Sequence, residues 1–149
     1  MPTQEASLPR ISVVPVLVGT VHLIVLTYVI GNGLFLVAGI YPRLVNPSAA
    51  ELEAALLAAA RGAPALMASH ALLGACATVA SGFVAGRLAK SNGAQNGAAA
   101  TYLLTLVSAY GVLSDRSAVP MWLGLLSLPL FPILGAFGGA WGERRAREA

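Results

Sequence analysis

An all-α integral membrane protein, a bundle of four spanning helices, is the fold that the sequence predicts, on three observations. Hydrophobic residues make up 57% of the 149-residue chain and charged residues 10%, whereas a soluble domain carries about 25% charged residues. Mean hydropathy is +0.77. The apolar residues fall into four runs near the roughly 20 residues that cross a hydrocarbon core of about 30 Å. These runs are continuous and rich in Ala and Leu, without the alternation of a membrane strand. A helix satisfies each backbone N–H and C=O within its own segment, as lipid requires.

The first span lies in the uncharged stretch between Arg10 and Arg43, with its core at 16–40. At its start the apolar run exceeds the roughly 7–15 residues of a signal-peptide core, which predicts a retained helix. No lipidation motif stands at either end of the sequence. The second span is expected at about 64–86, the third at about 98–113 and the fourth at about 119–141, all in one domain. Before the second span, Asn46-Pro47-Ser48 marks a helix start. The segment 49–60 then predicts a short interfacial helix, with Glu51 and Glu53 placed where acidic groups favour the helix dipole. Ser91-Asn92-Gly93-Ala94-Gln95-Asn96-Gly97 reads as a polar, flexible turn. Pro129 and Pro132 are expected to kink the fourth helix.

The net charge of +3 owes its excess to Arg144, Arg145 and Arg147. Basic flanks of membrane segments mark topology, so nucleic acid is not an expected partner. Four spans place both termini on one side. Arg10, Arg87, Lys90, Arg144, Arg145 and Arg147 share that side, against Arg43, Arg61 and Arg116 on the other. The bias puts both termini in the cytoplasm. The lone Cys76 excludes an intramolecular disulfide and a Cys-x-x-Cys redox pair. Gly82 with Gly86, and Gly135 with Gly139, are spaced so that another backbone comes close. These pairs are the expected contacts between helices or between copies in a homo-oligomer.

Polar residues gather at the expected non-cytoplasmic ends of the helices, and intramembrane ionisable groups are costly unless paired. His70 opens the second helix and suits acid/base work near neutral pH. It fits equally an interfacial histidine bonded to water. Asp115 beside Arg116 is either a general base held ionised by a cation or a solvated turn before Pro120. Asn32, between Gly31 and Gly33, needs a partner in an apolar helix, which is either a substrate or a neighbouring helix. Arg43 and Tyr110 lie at the same level. The expected site therefore has His70 and Asp115 as catalytic groups, with Asn32, Arg43, Tyr110 and Arg116 binding substrate. No metal or tightly held cofactor is expected there. His22 lies in the other half of the first helix, so His22 and His70 do not readily clamp one haem; a haem or metal held through His22 alone is a further reading. Triad hydrolase, phosphate-loop and zinc-protease motifs are absent from the sequence.

The run Gly31-Asn32-Gly33-Leu34-Phe35, ending in Tyr41-Pro42-Arg43-Leu44 and followed by an Ala-rich segment leading into Arg61-Gly62-Ala63-Pro64, resembles the anthrone oxygenase-like family of small four-helix membrane proteins. The resemblance covers about the first 90 residues. The third helix lacks the Pro and Asn residues associated with that family and has only Tyr110 and the Asp115-Arg116 loop. A fainter similarity, through Val21-His22-Leu23 and Gly31, is to copper-resistance-type membrane proteins. The first resemblance implies oxygenation of a hydrophobic metabolite such as an aromatic polyketide; the residues themselves suit acid/base conversion as well, and epoxide opening, for which a carboxylate and an acid donor are the minimum equipment, is a variant of that expectation. The rival expectation is a non-catalytic membrane subunit or scaffold.

Overall fold

A computed structural model describes residues 11–37, 62–114 and 121–149, together with Glu51, Ala54 and Ala58. Within these residues the chain is all-helical. Four helices are long and apolar enough to span a membrane: α1 (Val13–Val37), α2 (Pro64–Ala89), α3 (Gly93–Leu113) and α4 (Met121–Glu148). The expected loop helix at 49–60 falls mostly outside the described residues; Glu51, Ala54 and Ala58 are helical and exposed.

Two expected boundaries are corrected. The third helix begins at Gly93 rather than near residue 98, because the segment read as a flexible turn is held by tertiary contacts. The Gly93 N–H donates to Glu143 Oε2 at 2.6 Å, which places a carboxylate at the positive end of α3. Asn96 is fully buried. Its Nδ2 donates to the Asn92 carbonyl at 3.0 Å, and its Oδ1 accepts the Ser12 N–H at 2.7 Å. One amide thus ties the α2–α3 connection to the start of α1. Lys90 and Asn92 take left-handed conformations, with φ of 59° and 55°, so the chain reverses in three residues, 90–92. The fourth helix runs on to Glu148 rather than ending near 141, carried by Glu143 paired with Arg147 and Arg145 paired with Glu148. It is continuous through Pro129 and Pro132.

Glycine determines how the helices meet. An added Cβ at Gly82 would fall closer than 3.0 Å to the Gly135 backbone, and one at Gly86 likewise to Gly139. Gly97 faces Gly135 in the same way, and Gly93 faces Gly139. The backbones of α2, α3 and α4 therefore meet along one seam, as small residues permit when lipid gives no hydrophobic drive for association. A second row, Gly138 and Gly142, lies against the Val79 and Phe83 carbonyls of α2. The stripes expected to serve a homo-oligomer are consumed inside the chain: Gly82, Gly86, Gly135 and Gly139 are all buried.

The fourth element, α1, packs on α2 and α3. Gly19 sits against Ala85 and Ala100, Leu23 is buried, and the Thr20 hydroxyl reaches the Ala100 carbonyl at 3.0 Å. These contacts set α1 parallel to α3 and antiparallel to α2. The start of α1 and the end of α4 consequently lie at one end of the bundle.

Candidate functional site

The expected site lies at the opposite end, where α1 and α3 finish and α2 starts. Arg43, Asp115 and Arg116 lie outside the described residues. His70, Asn32 and Tyr110 are described, and helical register shows which faces they occupy.

His70 continues the stripe Gly74, Ala77, Ser81 and Ala85. Farther along, that stripe is the core-facing side of α2, with Ala77, Ser81 and Ala85 buried. His70 itself is exposed. Gly74 lies one turn away, and a Cβ added there would meet nothing within 4 Å; the same holds at Gly111 on α3. The core-facing stripes thus continue into this end, but the described helices do not close over them. Among the described residues none bonds the His70 imidazole.

Asn32 and Tyr110 are turned the other way. Asn32 is in register with Val14, Val18, Val21, Val25 and Tyr28, all exposed on the outer face of α1. Its Nδ2 donates to the Tyr28 carbonyl at 2.8 Å, the i−4 bond by which a side-chain amide shelters a polar group on an apolar helix. Tyr110 shares the outer face of α3 with Leu103, Leu106 and Leu113 and is 63% exposed. The structure places all three residues in one half of the bundle but only His70 on an inward face.

The buried polar groups gather at the other end. Thr78, Ser81, Asn96 and Thr101 are fully buried. Thr78 bonds the Gly74 carbonyl and Thr101 the Ala98 carbonyl. Ser81 Oγ lies 3.4 Å from His22 Nδ1. None of these buried side-chain atoms is left without a partner; Thr78 and Thr101 bond within their own helices, while Ser81 with His22 and Asn96 with Ser12 join different elements, as polar side chains do between membrane helices. Sequence reasoning passed over these groups, because Thr and Ser in an apolar helix bond their own backbone as readily as a neighbour.

His22 is level with Ser81, eleven residues from His70 along α2, or about 16 Å at 1.5 Å per residue. The two imidazoles occupy opposite halves of the bundle and do not share a ligand. Among the described residues no cluster of three or more His, Cys, Asp or Glu side chains is placed to hold a metal ion. No family model, curated protein or solved structure matches the chain.

Proposed function

We propose that the chain is a small membrane enzyme that admits a hydrophobic metabolite into the uncovered end of its bundle and converts it by acid/base chemistry, with oxygenation and epoxide opening as the reaction classes. The observation that carries this reading is the position of His70, exposed among the described residues on a stripe that is core-facing farther along α2. An imidazole there meets a bilayer-dissolved substrate while remaining within reach of interfacial water, which suits proton transfer near neutral pH.

In this reading His70 exchanges protons with the substrate, and Asp115 is its partner. Asp115 follows Ser114, which caps α3 at the His70 end. Arg43 or Arg116 stabilises developing negative charge on oxygen. Asn32 and Tyr110, expected to orient the substrate, lie at the same end of the bundle, on the outer faces of α1 and α3. The resemblance of the first 90 residues to anthrone oxygenase-like proteins supports a metabolite of polyketide type and chemistry without a tightly held cofactor. The excess of Arg and Lys at the end bearing Arg87, Lys90 and Arg145 supports a cytoplasmic location for both termini.

The same uncovered stripe also suits a non-catalytic subunit, with a partner's helix lying along it. Untargeted metabolite profiles of cells expressing the wild type, His70→Ala and His70→Gln, at matched protein levels, separate the two readings. A product made by the wild type and lost in both variants is the expected result. Identical profiles, together with loss of a co-purifying membrane protein from the variants, would overturn the enzyme reading in favour of the subunit.

A further inference from the structure

At the terminal end of the bundle, α2 and α4 carry a feature that the acid/base reading does not use. Phe83 and Trp141 meet edge to face, with ring centroids 5.2 Å apart. On one side of this pair an open groove of about 440 Å³ is lined by Ala75, Cys76, Val79, Ala80 and the two rings. On the other side a second groove shares both rings but is bounded by Arg87, Arg145, Glu148 and Ala149. The two form one channel along the outer surface, apolar toward mid-membrane and cationic at the end.

Its dimensions match one leaflet. From Ala75 to Arg87 is twelve residues, about 18 Å of helix, against about 15 Å for half of the hydrocarbon core. Tryptophan is the side chain that favours the boundary between acyl chains and headgroups, and Trp141 sits where the lining changes from apolar to charged. Arg87 and Arg145 converge on the polar end from different helices. Among the described residues Arg145 is engaged only by Glu148, at 3.3 Å, in a pair whose side chains are more than half exposed. Such a pair contributes little and yields readily to a better anion.

We infer that this channel is a binding site for an anionic phospholipid, with one acyl chain along Ala75–Ala80 and its phosphate held by Arg87 and Arg145. Charge complementarity selects the occupant. Among the side chains that line the polar end, two guanidiniums are offset by the single carboxylate of Glu148; this net positive side-chain charge favours a headgroup of net negative charge over a zwitterionic one whose ammonium would be repelled. Guanidinium also matches phosphate in planar, two-point geometry.

The test uses the full chain with Trp122→Phe, which leaves Trp141 as the only tryptophan. In vesicles, brominated phosphatidylglycerol in a phosphatidylcholine background is compared with the reverse mixture, and quenching of Trp141 reports the lipid beside it. The expected relative binding constant for the anionic lipid is about fivefold that of the zwitterionic one, the scale set by one basic residue at a membrane surface. Arg87→Gln with Arg145→Gln brings it to about one, while Glu148→Gln raises it by releasing Arg145. Equal quenching by both lipids in the parent protein, or a preference unmoved in the double variant, overturns the site. A preference that falls or stands still in Glu148→Gln overturns it as well, on a chain whose arginines and groove are intact.

Discussion

The half of the bundle that carries the chain ends and the half that carries His70 are made from the same four helices, yet most of their glycines serve differently. At Gly19, Gly82, Gly86, Gly93, Gly97, Gly135, Gly138, Gly139 and Gly142 in the first half, and at Gly124 against Val112 in the second, a Cβ would fall closer than 3.0 Å to a neighbouring helix. At Gly31, Gly33, Gly62, Gly74 and Gly111 it would meet nothing within 4 Å. Hydropathy does not distinguish these positions, since all lie in or beside apolar runs. The difference teaches that a membrane bundle is held by how closely its backbones approach rather than by how apolar it is. Among the described residues most of the close backbone approaches gather at the terminal end, and Gly31, Gly33, Gly62, Gly74 and Gly111 toward the other end have no such contact.

The contrast is broken most severely by Gly139→Val. The new side chain would meet backbone from Gly93 and Gly97 together, and neither can yield as a flexible side chain does. A loss of more than about 4 kcal/mol is expected, at the extreme of single-substitution effects. It reads out as loss of the monodisperse peak in detergent size-exclusion chromatography. A normal melting profile for this variant would refute the seam.

Asn96→Ala ranks next. It removes the acceptor of the Ser12 N–H and the donor to Asn92 at a fully buried position, for an expected cost of about 1–3 kcal/mol in a thermal melt of the detergent-solubilised protein. Glu143→Ala removes the carboxylate from the start of α3 and costs about 0.5–2 kcal/mol, as for loss of a helix N-cap. Amide exchange at Gly93 should rise in that variant even where the global melt moves little.

The open half predicts the opposite sign. Gly74→Ala and Gly111→Ala have room for the methyl, and each is expected to stabilise its helix by about 0.5–1 kcal/mol through the greater helix preference of alanine. A destabilisation of that size would show that the end closes more tightly than the described helices indicate. The smallest effect belongs to Tyr110→Phe, within about 0.5 kcal/mol, with no change in product if the outer face of α3 meets only lipid.

How much of this was legible in the sequence depends on whether the information is local. Span number and helical character follow from run length and hydropathy, which are properties of each segment alone, and the four helices appear where those runs are. The pairs Gly82/Gly86 and Gly135/Gly139 were visible as stripes, but what each stripe faces is a property of the assembled bundle. Gly93 and Gly97 were hidden by the turn-forming neighbours Ser91, Asn92 and Asn96. The carboxylate that caps their helix lies fifty residues away, at Glu143. For the site, height was readable and rotation was not: His70, Asn32 and Tyr110 do lie toward one end. The helices are apolar on every side, so no polar face marks which side is turned to lipid. Only the packed structure separates His70 from the other two.

The three-residue reversal at 90–92 has a mechanical consequence. With α2 and α3 joined so tightly, and α4 seated on both just beside that joint, any relative displacement of α2 and α3 is smallest at the reversal and grows toward their far tips. Because α2 is about 39 Å long, a swing of about 5° at that joint would part the tips by about 3 Å, close to the thickness of a flat aromatic ring.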